Sequence, residues 1–282
     1  MSRVAEEEDW DFDFPITEEG LEVIDEAVNS LSSSSSPIKK KRRLPSSFQA
    51  SFSSCSSSIP SHNPQSSVMF KRTHPVMNFG GRIIYSRSNA ETQKVAAELL
   101  KFVEQKKRET GHVTLGLDIE WKPTFRKGVP PGKAAVLQIC ADNSHCYVIH
   151  IIHSGIPQNL RFLLEDATTI KVGVGIANDS RKLFKDHNVS VKDLDDLSNL
   201  ANQKLGGEPR SWGLQSLTET LLCKQLEKPN RIRLGNWEAR VLSKDQVRYA
   251  AIDAYASWCL YKVLKSLPDA ADNEAAQVVA VP

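Results

Sequence analysis

The sequence predicts a mixed α/β domain, because short alternating or wholly apolar runs recur between residues 82 and 174 and amphipathic patterns lie between and after them. Two capping boxes, Ser88 with Glu91 and Ser243 with Gln246, mark the starts of the first and last long helices.

Residues 82–85 form the first strand. A helix over 90–105 follows, with Val95, Leu99, Phe102 and Val103 at one-face spacing, which makes it a packing element. The alternating run 113–120 is a strand, and 135–140, 146–149 and 169–174 are apolar runs of strand length. Further helices are predicted over 158–165, 180–186, 194–205, 214–222 and 243–264, so most helices come late. Periodicity alone carries the fold class no further than mixed α/β.

The chain has 282 residues, 40% of them hydrophobic, enough for a sizeable core. Residues 1–75 contribute little to it: serine runs at 32–36 and 53–58 bury too little apolar surface to offset ordering entropy, and a disordered tail is expected. Within it, the Lys-Lys-Lys-Arg-Arg run at 39–43 reads as a nuclear localisation signal or a phosphate-binding arm. The acidic-aromatic segment 6–14 reads as a docking motif or a solvated tail. A second flexible tail is expected over 268–282, leaving 79–267 as the folded domain. No apolar stretch approaches the about 18 residues of a spanning helix. The cysteines at 55, 140, 146, 223 and 259 form no Cys-x-x-Cys pair and read as reduced thiols. His150 and His153 lack two further ligands for zinc. The net charge of +2 conceals a basic segment over 122–133.

Three acidic signals bear on function. Asp118 and Glu120 are two apart on a strand and therefore share a face. Asp179 follows Val-Gly-Val-Gly-Ile, and Tyr249 and Asp253 stand four apart on a helix and share its face. Taken singly, the first pair also reads as a surface acidic pair, Asp179 as a helix N-cap, and Tyr249 as a core tyrosine. Together they form an all-oxygen cluster suited to Mg²⁺ or Mn²⁺, whose usual chemistry is phosphodiester cleavage.

The runs Gly116-Leu-Asp-Ile-Glu-Trp121, Val172-Gly-Val-Gly-Ile-Ala-Asn-Asp179 and Tyr249-Ala-Ala-Ile-Asp253 resemble the three exonuclease motifs of the DEDD superfamily, in its tyrosine subclass. Members include ribonuclease D and the Werner syndrome protein's exonuclease domain. The segments 132–140, 211–217 and 236–238 are most similar to the Werner domain. The resemblance implies a ribonuclease H-like fold, a mixed sheet flanked by helices, and a two-ion phosphodiesterase using Mg²⁺ or Mn²⁺. Asp118, Glu120, Asp179 and Asp253 would hold the ions, and Tyr249 would orient the attacking water. Leu117 and Trp121 would pack against the terminal base or sugar, Trp121 reading equally as core. Lys122, Arg126, Lys127 and Lys133 would follow the phosphates.

The function this implies is a 3′–5′ exonuclease on DNA, with recessed ends expected, in nuclear repair or recombination. An exoribonuclease is the alternative, since the same acids cut either backbone, and a non-catalytic nucleic-acid scaffold is the reading from another class. The chain has no room for a helicase, so a RecQ-type helicase would be a separate polypeptide. The Ku heterodimer is a second partner the resemblance implies.

Overall fold

The computed structural model describes residues 74–269. The expectations placed on the N-terminal serine-rich, acidic and basic segments, and nearly all of the C-terminal tail, lie outside these residues. The elements are β1 (Arg82–Ser86), α1 (Asn89–Thr110), β2 (Val113–Trp121), β3 (Ala134–Cys140), β4 (His145–Ile149), α2 (Ile151–Ser154), α3 (Gln158–Glu165), β5 (Thr169–Gly173), α4 (Ile176–His187), β6 (Leu194–Asp196), α5 (Leu197–Leu205), α6 (Leu214–Leu221), α7 (Asn230–Arg233) and α8 (Lys244–Ser266). They build one six-stranded sheet in the order β1-β4-β3-β2-β5-β6. β3 runs antiparallel to both neighbours and every other pairing is parallel, so the sheet is mixed.

Strand alternation divides the core into two layers. On one face Leu115, Leu117 and Ile119 of β2 and Leu137 and Ile139 of β3 pack with Val95, Leu99 and Val103 of α1, the leucines of α3, and Leu183 of α4. On the other, Val136 and Cys140 of β3 and Cys146 and Val148 of β4 pack with Ala250, Ala251 and Ala254 of α8 and with Trp237 and Leu242. Three alanines let α8 lie close to the sheet, and Gly116 of β2 lets it lie closer still. A Cβ at Gly116 would stand 2.1 Å from the Ala254 carbonyl oxygen and 2.8 Å from the Trp258 nitrogen. Gly116 points to the α8 face, and so, by alternation, do Asp118 and Glu120.

Three predicted boundaries differ from the structure by three residues or more. α1 continues to Thr110, because its Lys- and Glu-rich last turn favours helix without any apolar stripe, and Gly111 then stops it in the left-handed conformation with φ 76°. The segment predicted as helix over 194–205 begins as the edge strand β6, and the helix starts only where Asp196 caps it by accepting from the Ser198 N–H at 2.9 Å. α4 starts at Ile176 after Gly175, whose φ is 71°, so Asp179 lies in the first turn and is not the N-cap. The short α2 and α7 carry no apolar periodicity that would have marked them.

Gly116→Ala should lower stability by about 3 kcal/mol, since the clash is with helix backbone and not with a movable side chain. Thermal unfolding of the two proteins checks this, and an unchanged Tm would mean that α8 does not approach β2 so closely.

Candidate active site

Asp118 and Glu120 project from β2 toward α8, and one turn of α8 brings Asp253 against them. A carboxylate oxygen from each of Asp118, Glu120 and Asp253 lies within 4.8 Å of the others. Directly across the ladder from Asp118 stands Gln138 of β3, whose Nε2 donates to Asp118 Oδ2 at 2.8 Å. Asp253 Oδ2 accepts from Lys228 Nζ at 3.3 Å, while Asp253 Oδ1, fully buried, has no partner. Asp179 comes from the first turn of α4, where it is 8% exposed. It lies outside the tight trio but within electrostatic reach of Asp118. Tyr249, one turn before Asp253, is buried with its ring tilted against Trp237, centroids 6.1 Å apart.

The charges are crowded and poorly solvated. Loss of water pushes the Asp118 carboxyl up to about 7, the Asp253 charge adds to this, and Lys228 and Gln138 oppose it. Glu120 is raised well above the carboxylate range by desolvation and then by Asp118 and Asp253. Desolvation also raises Asp253, against the pull of Lys228. Asp179 is pushed up to about 8 by desolvation, with Asp118 and Asp196 adding repulsion. Burial and the charges of Asp253, Glu120 and Asp118 raise Tyr249 far above the ordinary phenol, so its hydroxyl stays protonated and can donate.

This arrangement fits a hard divalent cation. The donor set is wholly oxygen, three carboxylates converge, their mutual repulsion is relieved by positive charge, and an orphaned oxygen of Asp253 awaits a partner. When bound, such ions supply activation of a water and neutralisation of charge on a leaving oxygen.

The remaining residues singled out in the sequence are placed differently. Leu117 does not belong with the substrate contacts: it is 1% exposed and packs in the α1-side core. The alternation that turns Asp118 toward α8 turns Leu117 the other way. Trp121 is partly buried against the same core, with Lys182 Nζ 5.1 Å from its ring centre. Arg126 and Lys133, with Lys122 and Lys127, are exposed on the segment after β2. That segment is fastened at its base, where Gly132 N–H donates to Lys122 O at 2.9 Å and Lys182 Nζ to Gly132 O at 2.7 Å. His150 and His153 meet backbone carbonyls, those of Trp237 and Ala239, each at 2.9 Å. Burial pushes His150 down to about 4, so it is neutral: Nε2 donates to Trp237 O and Nδ1 accepts from the Tyr85 hydroxyl at 2.8 Å.

Sequence reasoning missed three contributors. Gln138 had a readable signal, a lone amide in the otherwise apolar β3. Lys228 and Asp196 had none, since one lies in an irregular segment and the other resembles any cap.

Comparison with known proteins places this site in a family. The model of the 3′–5′ exonuclease family matches residues 88–267, well over half of the chain. A curated Arabidopsis thaliana 3′–5′ exonuclease is 62% identical over 199 residues, covering 71% of this chain and 69% of the relative. The mouse bifunctional 3′–5′ exonuclease/ATP-dependent helicase WRN is 36% identical over 198 residues, covering 70% of this chain but only 14% of the mouse protein. In fold the chain is similar to Escherichia coli RNase D, an exoribonuclease involved in structured RNA processing, with a TM-score of 0.53 at 19% identity, covering 66% of this chain and 44% of RNase D. The mixed sheet and its flanking helices are therefore ribonuclease H-like, the acids of β2 and α8 face one another across its middle, and the chain belongs to the 3′–5′ exonuclease family.

Proposed function

We propose that this exonuclease shortens DNA from 3′ ends, recessed duplex ends among them, releasing nucleoside monophosphates with the help of two Mg²⁺ or Mn²⁺ ions. The observation that carries the reading is the convergence of Asp118, Glu120 and Asp253 within 4.8 Å, with one buried Asp253 oxygen unpartnered and a protonated tyrosine beside them. Asp118, Glu120 and Asp253 would hold one ion, and Asp118 with Asp179 the other. Tyr249 keeps its proton and donates to the attacking water, which orients it. A phenol raised this far does not act as the base.

DNA is supported by the segments most similar to the Werner domain and by the 36% identity with the mouse nuclease-helicase. A nuclear role in repair or recombination rests on the basic run at 39–43 and on the same likeness, as do the Ku heterodimer and a separate RecQ-type helicase as partners. The exposed Arg126 and Lys133 would track phosphates.

Four outcomes follow from this reading. A 5′-labelled recessed duplex should shorten from its 3′ end in Mg²⁺ or Mn²⁺, and Asp118→Ala should abolish the ladder. A ladder only on matched RNA would move the protein to RNA processing, and none on either would leave a binding scaffold. Tyr249→Phe should slow turnover by on the order of 10- to 100-fold while leaving Mn²⁺ affinity unchanged, and an unaltered rate would remove Tyr249 from the mechanism. In the chelated protein Asp118 and Asp179, titrating near 7 and 8 instead of 3.8, bind more protons folded than unfolded. The chelated protein should therefore lose stability as pH rises from about 4 to 8, and Mn²⁺ should restore it at the alkaline end. Thermal melts across that range, with and without Mn²⁺, check the sign.

A further inference from the structure

Among the ion pairs of the described residues, that of Lys228 has the most buried carboxylate. Lys228 Nζ lies 3.3 Å from Asp253 Oδ2 and 6.0 Å from the Tyr249 ring centre, and the Asp253 side chain is 5% exposed against 27% for the lysine. An ion pair with both members in water contributes little. Here the carboxylate is desolvated and stands against those of Asp118 and Glu120, so the lysine charge lies beside a poorly solvated acidic trio. Lys228 also forms part of the wall of a cavity of about 640 Å³, shared with Tyr249, Ile252, Asp253, Arg231 and Arg248. A flexible four-carbon stem at that wall can carry its ammonium from the carboxylate into the cavity.

We propose that Lys228 is an exchangeable counter-ion. It competes with a divalent cation for the charge of the Asp253 carboxylate, and once released it grips a non-bridging phosphate oxygen of the strand lying in the cavity. The inference rests on the two-ion exonuclease reading, and charge balance supports it. Four carboxylates match two divalent cations, Lys228 adds one positive charge beyond that balance, and one phosphodiester neutralises it. The partner that answers this geometry is therefore a nucleic-acid phosphate next to the scissile bond.

The test uses the full chain and two readouts that need no turnover. One is Mn²⁺ binding without nucleic acid, by calorimetry. The other is binding of a labelled 3′-recessed duplex in Ca²⁺, by anisotropy. Lys228→Met should bind Mn²⁺ about tenfold more tightly, because a repelling charge is gone. It should bind the duplex about tenfold more weakly, because a charge-assisted phosphate contact is gone. Lys228→Arg should keep both constants near those of the natural protein, and Lys228→Gln serves if the methionine variant does not fold. An unchanged Mn²⁺ constant overturns the competition, and an unchanged duplex constant overturns the phosphate contact. Failure of the exonuclease reading would show separately, as no degradation of DNA or RNA by the natural protein in Mg²⁺ or Mn²⁺.

Discussion

The close approach of α8 to β2 is the constraint on which the rest of the site depends. Asp118 and Glu120 belong to a strand, Asp253 and Tyr249 to a helix more than a hundred residues later, and only contact between the two backbones brings their carboxylates within 4.8 Å. That contact needs a residue without a side chain at position 116, because any Cβ there would run into the Ala254 carbonyl. It also needs small residues on the helix, which Ala250, Ala251 and Ala254 provide. A glycine two residues before the first acid is therefore a distance-setting part of the site, as much as the acids are.

Bringing acids together in a poorly solvated place costs stability, and the protein meets the cost locally. Gln138 holds one oxygen of Asp118, Lys228 holds one of Asp253, and loss of water, with mutual repulsion added to it, leaves Asp118 and Glu120 titrating well above the usual carboxylate range. The site is thus a strained, proton-accepting cluster whose natural relief is a divalent cation. The same strain couples cation binding to folding and to pH.

Away from the cluster, partly buried polar links tie the segments together. Leu242 N–H donates to the Tyr85 hydroxyl, Tyr85 to His150, and His150 to the Trp237 carbonyl, a chain that ties the segment before α8 to the far edge of the sheet. Opposite, Lys182 donates to Gly132 O and pairs with Asp186, whose carboxylate accepts from Ala134 N–H at 2.8 Å. The segment before α8 and the segment after β2 are thereby held, one against β1 and β4 and the other against α4. The basic residues after β2 project from a fixed base.

Much of this was legible in the sequence, for a physical reason. Strand and helix periods, capping boxes and acidic pairs two and four apart are local properties, so the five principal strands, the long helices and the faces shared by Asp118 with Glu120 and by Tyr249 with Asp253 could be read without coordinates. Alternation could equally have excluded Leu117 from the substrate side. The distance between the two acidic faces could not be read, because it depends on two backbones meeting at Gly116. Nor could the part of Lys228, which lies in an irregular segment and gains meaning only where the chain returns it to Asp253. The sequence by itself determined which side chains share a face, since that follows from the backbone repeat. Only the tertiary structure decided which faces meet, which polar groups lose their water there, and hence which carboxyls are driven to seek a cation.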